Sequence, residues 1–368
     1  MKNFTRILLF AAFLFSLSMP AKSQQTTKNY EQEWKNAEAY IKKKLTQSAL
    51  AEVKKIYALA KKEASVNPAQ QAQLIKALVY ITGLQEETRE DNEVFSIKEI
   101  EVEIVGSKEP VSSILNSIAV EMYWDYFQQN RWRLYDRSAT VDFKKDDIAT
   151  WSADDFHKKI SQLYLASISN EKLLQQTQLE PYDAIIIKGN VRHLRPALYD
   201  LLAHRALQYF ENDERDISEP AYAFEINQAA AFDPAADFIK TQFTTSDTLS
   251  LQHKALLIYQ KLISFHLNDA KPDALIDADL QRIEFVKNNS THPDKDQLYF
   301  NAINHVAQQY QNLPAASQAW YLIAKYYEEK AREYKAYVDS THRLGRIKAK
   351  EICEKVLLQK DSSEGKIN

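Results

Sequence analysis

Histidine and cysteine are the side chains of this sequence best suited to bind a transition metal. The chain has eight histidines and one cysteine, Cys353. The two closest histidines, His193 and His204, are eleven residues apart, whereas ligands on one helix face need a separation of about four. His204 follows Asp200 by four residues, which predicts a hydrogen bond along a helix face. The spacing therefore predicts no metal site.

Serine, histidine and carboxylate side chains could also perform nucleophilic or acid–base catalysis. The chain has only five glycines, and no two of them lie within ten residues of each other. A phosphate-binding loop, a dinucleotide-binding turn and a nucleophile elbow each need closely spaced glycines. The acidic pairs Asp146-Asp147 and Asp154-Asp155 lie beside predicted helix starts, where capping explains them. We therefore predict no catalytic residue, no cofactor and no enzyme activity.

Two stretches are unusually rich in residues that specific binding sites use. A predicted loop from Gln128 to Trp151 has the sequence QQNRWRLYDRSATVDFKKDDIATW. A predicted helix with its lead-in, from Ala184 to Leu207, has the sequence AIIIKGNVRHLRPALYDLLAHRAL. Their notable side chains are Asn130, Arg131, Trp132, Asp136, Asn190, Arg192, His193 and Arg195.

The segment from Asn130 to Arg137 is the best candidate for a specific role. Its possible partner-binding side chains are Arg131, Trp132, Arg133 and Tyr135. Tryptophan, tyrosine and arginine are frequent anchors of protein interfaces, so these residues could form a binding patch. Alternatively, the tryptophan is buried and the arginines bond to carbonyl groups, which would lock a loop between helices. We favour the structural interpretation, and we judge Arg192 and His193 in the same way.

The N-terminus has the pattern of an export signal. Lys2 and Arg6 accompany an apolar run, Ile7–Met19, which is shorter than a typical membrane span. Small residues at 21 and 23 predict cleavage before Gln24, and no cysteine lies nearby to carry a lipid. We expect a cleaved signal peptide and an exported protein of the periplasm or cell exterior that is not a lipoprotein. A retained membrane anchor is the alternative.

The charge balance limits the possible partners. Signal removal takes away Lys2, Arg6 and Lys22 and leaves 44 basic against 50 acidic residues, a net charge of −6. This argues against binding nucleic acid or an anionic membrane. No later segment is apolar enough to span a membrane, so we expect a soluble mature chain. Cys353 is expected to be buried, because cysteine is among the most buried residue types.

Helix signals recur along the chain. The sparse glycine predicts a mostly helical protein. Proline pairs predict helix starts at Asn67-Pro68, Glu109-Pro110, Lys271-Pro272, His292-Pro293 and Leu313-Pro314. Ser152 and Asp155 have the spacing of a capping box. Residues 184–188 could form one short strand or a buried extended segment.

Apolar residues repeat at helical spacing in the C-terminal part. Leu251, Ala255, Ile258 and Leu262 line one face, and three later stripes follow. The spacing of Trp320, Ile323, Ala324 and Tyr327 is that of the first helix of a tetratricopeptide repeat, which Ala349, Cys353 and Val356 would face. We predict an all-α fold of antiparallel helix pairs stacked as an irregular α-solenoid, tetratricopeptide-like toward the C-terminus.

The predicted organisation has five parts. They are a signal peptide (1–23), an N-terminal helical part (24–129), an irregular middle part with long loops (130–250), a helical-repeat part (251–359) and a disordered tail (360–368).

Three stretches carry a resemblance to a known family. They are YEQEWKNAEAYIKKKLTQSALAEVKKIYALAKKE from Tyr30, the segment from Val120 to Thr140, and IIIKGNVRHLRPALYDLLAHRAL from Ile185. The sequence resembles the N-terminal helical region of bacterial alpha-2-macroglobulin-like proteins of the Bacteroidetes type. In that family this region precedes β-sandwich domains and, in many members, a Cys-Gly-Glu-Gln thioester that traps proteases.

The sequence departs from that family in its chemistry. It has no run of alternating strands, and Cys353 is followed by Glu354-Lys355-Val356, so the thioester cannot be carried over. The resemblance implies a non-enzymatic exported interaction or scaffold module. Its partner would be a protease or a macroglobulin-like chain, or another envelope protein. Two hypotheses compete with it, a tetratricopeptide-like envelope adaptor unrelated to protease inhibition and an envelope enzyme.

Overall fold

The computed structural model describes residues 26–64, 67–87, 92–135, 146–214, 220–338, 340–358 and 364–367. These residues are predominantly helical and form no β-strand, only isolated bridges between Gln178 and Ala197 and between Ile226 and Ser290. The prediction of an all-α fold is confirmed. The predicted signal peptide and Asp136 lie outside the described residues.

The chain divides into two compact units, which we call unit 1 and unit 2. Unit 1 comprises the described residues up to Arg192 together with Pro196–Ala206, and unit 2 comprises His193–Arg195 and the described residues from Leu207 onward. The division falls inside the predicted middle part, 130–250. The first seven helices are α1 (Thr26–Lys42), α2 (Thr46–Glu63), α3 (Pro68–Glu86), α4 (Asn92–Gly106), α5 (Val111–Tyr135), α6 (Ala153–Ser167) and α7 (Glu171–Gln176).

The following helices begin with α8 (Leu198–Phe210), whose residues up to Ala206 belong to unit 1. Unit 2 continues with α9 (Ala235–Phe238), α10 (Leu251–His266), α11 (Asp273–Asn289), α12 (Lys295–Gln309), α13 (Ser317–Ala331), α14 (Gly345–Leu357) and α15 (Glu364–Ile367). Short 3-10 turns cover Ile148–Thr150, Glu180–Tyr182, Arg192–Leu194, Ala229–Phe232 and Pro314–Ala316.

Consecutive helices pack against each other within each unit. In unit 1, α2 contacts both α1 and α3, and α5 contacts both α4 and α6. In unit 2, the contacts run in order from α10 to α14. Stacking of sequence neighbours is the packing predicted for an α-solenoid, and it buries one apolar face of each helix.

Side-chain caps fix several helix starts where the sequence predicts them. The Asn67 side chain accepts a hydrogen bond from the Ala69 amide, and Pro68 opens α3. Ser152 and Asp155 form the predicted capping box, in which each side chain accepts from the other residue's backbone amide. The capping interpretation of these polar residues is therefore confirmed.

The segment Gln128–Tyr135, predicted as a loop, is the last part of α5. Phe127 and Leu134 lie on one helix face, seven residues apart, and both are fully buried. No glycine or proline interrupts the segment, and its glutamine, arginine and leucine residues favour a helix. The loop prediction was wrong because we gave the polar composition more weight than this apolar spacing.

The pair formed by α13 and α14 is the predicted tetratricopeptide-like element. Ala319, Leu322, Ile323 and Ala324 of α13 are buried, as are Ala349 and Val356 of α14. Trp320 is only partly buried, and Cys353 is exposed, which corrects the prediction of a buried thiol. Cys353 follows Ala349 by four residues, so it lies at the edge of the buried stripe of α14 and is nevertheless exposed.

Part of the predicted disordered tail is ordered. Residues Glu364–Ile367 form the short helix α15, which packs against α13. A Cβ atom on Gly365 would lie 2.2 Å from the backbone carbon of Ser317, so only glycine permits this approach. The polar composition of 360–368 concealed this close backbone contact.

Arg282 of α11 is the largest fully buried side chain of unit 2. It forms an ion pair with Asp279, donates to the backbone oxygen of Ala231 at 2.6 Å and donates to that of Asp233 at 3.0 Å. Its guanidinium also lies 4.4 Å from the ring centroid of Phe238. These contacts fasten the irregular segment around Ala229–Phe238 to α11.

Candidate functional site

The predicted partner-binding residues of the first stretch lie on the last turns of α5. Trp132 is 80% exposed, and Arg133 is exposed beside it. Arg131 and Tyr135 are half-buried. The end of α5 therefore presents an indole and an arginine to solvent. We call Arg131, Trp132 and Arg133 the α5 patch.

Local contacts order the side chains around this patch. The guanidinium carbon of Arg131 lies 5.5 Å from the ring centroid of Trp132, within cation–π range. Arg133 donates a hydrogen bond of 2.8 Å to the side-chain oxygen of Asn130. The Tyr135 ring packs edge-on against Phe127, with 5.9 Å between ring centroids. Tyr135 thus packs against a core side chain, whereas the three patch residues are held at the surface.

The structural interpretation of this segment needs correction. It required a buried Trp132 and arginines bonded to carbonyl groups between helices. Instead the indole faces water, because its position on α5 is two residues before the buried Leu134 and so points away from the core. Of the two alternatives, the exposure of Trp132 fits the binding patch.

Arg192 and His193 of the second stretch have different surroundings. Arg192 forms an ion pair of 2.7 Å with Asp183, which also pairs with Lys188 at 2.5 Å. His193 is exposed. The ion pair of Arg192 with Asp183 therefore fixes the segment after Tyr182. Arg192 is not a member of the α5 patch.

His204, in the same stretch, confirms part of a prediction. Its Nδ1 donates to the backbone oxygen of Asp200 at 2.8 Å. The Asp200 side chain instead accepts from the Ala197 amide at 2.8 Å, at the start of α8. The helix-face hydrogen bond exists, but it is made to the Asp200 backbone.

Unit 1 also contains a large apolar cavity that the sequence did not reveal. Its volume is about 640 Å³, within the range of small-molecule sites. The wall combines residues of α3, α5 and α8 with the segment Ala184–Ile187, which contains no strand. Representative lining side chains are Val79, Ile114, Ile118, Met122, Ile186 and Leu201.

Two buried hydrogen bonds position the wall formed by Ala184–Ile187. The Tyr182 hydroxyl donates to the side-chain oxygen of Gln71 at 2.5 Å, and the Gln71 amide donates to the Ala64 backbone oxygen at 2.9 Å. These bonds attach the turn Glu180–Tyr182 to α3. The apolar residues that follow the turn are thereby held over the cavity.

Lys76 of α3 is the cation of the cavity wall that pairs with aromatic rings. Its ammonium nitrogen lies 4.1 Å from the ring centroid of Trp34 and 5.8 Å from that of Tyr80. Burial lowers the pKa of Lys76 and raises that of Tyr80 to about 12. The sequence signal was a lysine inside the apolar run Leu74–Leu78, which we did not single out.

The other charged groups of the wall are Arg205, Glu121, Glu86 and Asp125. Arg205 forms an ion pair of 2.6 Å with Glu121 and donates to the Ser117 hydroxyl at 2.8 Å. Burial, and then the charges of Glu93 and Asp125, raise the pKa of Glu86 to about 7. The cavity therefore has apolar walls and a few charged groups, of which Arg205 is paired with Glu121 and Glu86 has a raised pKa.

In the part of the chain that the structure describes, no group of three or more histidine, cysteine or carboxylate side chains is placed to hold a metal ion. No helix in that part is long and apolar enough to cross a membrane.

Comparison with known proteins returns no relative. No protein-family model, curated protein or solved structure matches this chain. The resemblance to the helical region of macroglobulins therefore stays a prediction from the sequence stretches.

Proposed function

We propose that this chain is a non-enzymatic, exported interaction module that binds a protein partner through the α5 patch. The exposure of Trp132 is the observation that carries the proposal. The resemblance to macroglobulins supports a protease or a macroglobulin-like chain as the partner. The export signal expected at the N-terminus would place the encounter in the cell envelope.

Tryptophan is highly buried on average, whereas the Trp132 indole is 80% exposed at the end of a largely buried helix. Tryptophan and arginine are the residues most enriched among those that dominate binding energy at interfaces. Arg131 lies over the Trp132 ring and so restrains it before any partner binds. A restrained aromatic side chain loses less conformational entropy on binding than a freely rotating one.

The charges of the patch define the complementary surface. Arg131 and Arg133 flank Trp132 in the sequence, so the patch has an apolar centre with positive charge on both sides. The partner should therefore offer an apolar recess for the indole and carboxylate groups at its rim.

The test compares capture of envelope proteins by the wild-type chain and by Trp132→Ala. Purified chains are cross-linked to native envelope extract, and captured proteins are identified by mass spectrometry. Tyr222→Ala is the matched control, because Tyr222 is an exposed aromatic residue of unit 2. We expect one protease or macroglobulin-like protein to be captured by the wild type and the control and lost with Trp132→Ala. Equal capture by all three chains would refute the proposal.

A tetratricopeptide-like adaptor is the alternative that the α13–α14 pair favours. A Cβ atom on Gly345 would lie 2.5 Å from the Tyr327 backbone oxygen, so these helices approach as closely as small residues allow. An adaptor would use unit 2 and an unrelated envelope partner. Capture that survives Trp132→Ala, of a protein from neither predicted class, would support it.

A catalytic function is the alternative that Glu86 favours. A carboxyl group with a pKa of about 7 in a cavity has the properties of a general base near neutral pH. However, the Ser117 hydroxyl accepts from Arg205, and the Thr82 hydroxyl donates to the Val79 carbonyl. We therefore place the non-enzymatic function first. Ester hydrolysis by the wild type that Glu86→Gln abolishes would reverse this order.

A further inference from the structure

The cavity of unit 1 differs in chemistry from the α5 patch and calls for a different ligand. Its wall is mainly aliphatic, with contributions from α3, α5, α8 and the segment Ala184–Ile187. Such a surface binds a flexible hydrocarbon well, because burial of apolar area stabilises the complex without demanding hydrogen bonds. A nucleotide or a sugar would leave many polar atoms unsatisfied there.

Lys76 supplies a specific group in this apolar wall. Its half-buried ammonium is surrounded by the rings of Trp34 and Tyr80. Among the described residues, no carboxylate forms an ion pair with it, and the charge of Glu38 offsets only part of the effect of burial on its pKa. A cation in that position is costly to bury, and aromatic rings compensate only part of the cost. An anionic group of a ligand would compensate the rest.

We propose that this cavity binds a free long-chain fatty acid, with the carboxylate at Lys76 and the hydrocarbon chain along the aliphatic wall. A single ammonium matches a single negative charge. The fatty acid satisfies both features of the site, since it joins one carboxylate to an apolar chain.

The remaining charged groups of the wall are compatible with this orientation. Arg205 is already neutralised by Glu121 and bonded to Ser117, so it does not compete for the carboxylate. Glu86 lies ten residues beyond Lys76 on the same helix, which corresponds to about 15 Å along the axis. Asp125 acts on Glu86 and so belongs to that distant end. Glu86 and Asp125 therefore lie away from the end of the cavity at which the ligand carboxylate would bind.

Calorimetric titration of the full chain with dodecanoate and with dodecanol tests the proposal. The two probes share the hydrocarbon and differ in the charge of the head group. We expect dodecanoate to bind roughly tenfold to hundredfold more tightly than dodecanol, the range expected for a charged hydrogen bond. Lys76→Met should remove this preference and leave dodecanol binding unchanged. Lys76→Arg should restore most of it, and the surface control Lys35→Met should not affect it.

Two variants test the location of the hydrocarbon. Ile118→Trp and Leu201→Trp each place a large side chain in the cavity, at half-buried wall positions on different helices. Either one should abolish binding of both probes while the chain remains folded by circular dichroism. Unchanged binding in a folded blocked variant would place the ligand elsewhere and overturn the proposal.

These titrations test the role of Lys76 and the role of the cavity separately. Equal affinity for acid and alcohol, unaffected by Lys76→Met, would overturn the role of Lys76. Failure of both probes to bind would overturn the cavity as a fatty-acid site. Neither outcome bears on the capture of a protein partner through Trp132, because none of these substitutions changes a residue of the α5 patch.

Discussion

Two cations, the half-buried Lys76 in unit 1 and the fully buried Arg282 in unit 2, are surrounded in opposite ways. Arg282 is fully buried, and a carboxylate, two backbone carbonyls and an aromatic ring satisfy its guanidinium. Lys76 faces two aromatic rings, and no carboxylate of the described residues forms an ion pair with it, although the charge of Glu38 acts on it from farther away. The cost of burying a charge is therefore met within the protein in unit 2, but only in part in unit 1.

The difference distinguishes a cation that stabilises the fold, Arg282, from the cation that we propose binds a ligand, Lys76. Arginine presents several donors in a fixed plane, and in unit 2 they connect a helix to an irregular segment. Lysine concentrates its charge on one flexible group, which in unit 1 lies at an apolar cavity. Removal of Arg282 should therefore destabilise the protein, and removal of Lys76 should not.

Arg282→Met should give the largest effect. The substitution leaves Asp279 buried without its cation and removes the donors of the Ala231 and Asp233 carbonyls, so we expect a loss of about 3–5 kcal/mol. Urea unfolding monitored by circular dichroism measures it. Arg332→Met is the control, since Arg332 pairs with Glu328 at an exposed position and its loss should change stability little. Similar losses for Arg282→Met and Arg332→Met would contradict the structural role of Arg282.

Glu86→Gln sharpens the description of the cavity in unit 1. The folded-state pKa of Glu86 is raised from 4.5 to about 7 by burial and neighbouring carboxylates. The carboxyl group therefore supports folding most below pH 4.5, and this contribution is lost as the pH rises through about 7. Allowing for its partial solvent contact, we expect the wild type to lose about 1–2 kcal/mol relative to Glu86→Gln over this window. Parallel unfolding curves of the two proteins at pH 5 and about pH 8 would contradict it.

Lys76→Met should have an effect of opposite sign to Arg282→Met. Methionine fills similar space without a charge, so we expect the ligand-free protein to gain up to about 1 kcal/mol. Because burial lowers the folded-state pKa of Lys76, the wild type recovers this difference as the pH rises toward 10.5. Thermal unfolding at neutral and alkaline pH measures both. A clear loss of stability at neutral pH would show that Lys76 serves the fold as Arg282 does.

Trp132→Ala should have the smallest effect on stability. The indole is largely in water, so we expect a change of less than about 0.5 kcal/mol. Trp34→Ala is the matched comparison, because Trp34 is buried and bonds to Gln73, and its loss should cost about 3–5 kcal/mol. A large loss for Trp132→Ala would return that residue to a structural role.

Local patterns were sufficient to predict the helical fold. The Asn67 and Ser152 caps involve residues two or three positions apart, and the stripe on α13 repeats every three or four residues. Helix formation and capping depend on such short separations, which a sequence displays directly. Cys353 shows the limit, because its residue type and its spacing from Ala349 both predicted burial, whereas the side chain is exposed at the edge of the buried stripe of α14.

The cavity could not be predicted in the same way. Tyr182 and Gln71, which position part of its wall, are 111 residues apart in the chain. Lys76 and Trp34 come from different helices, so neither sequence neighbourhood identifies their contact. Trp132 was misjudged because tryptophan is buried on average, and only the phase of α5 shows that it points outward.

The hydrogen bonds from Arg282 to the carbonyls of Ala231 and Asp233 also limit local unfolding in unit 2. The two carbonyl partners of Arg282 come from residues 51 and 49 positions earlier in the chain. Local opening of the turn Ala229–Phe232 would remove the Ala231 acceptor from a fully buried guanidinium. The amide protons of this short irregular turn should therefore exchange with deuterium as slowly as those of α11, in a single cooperative opening event of both segments.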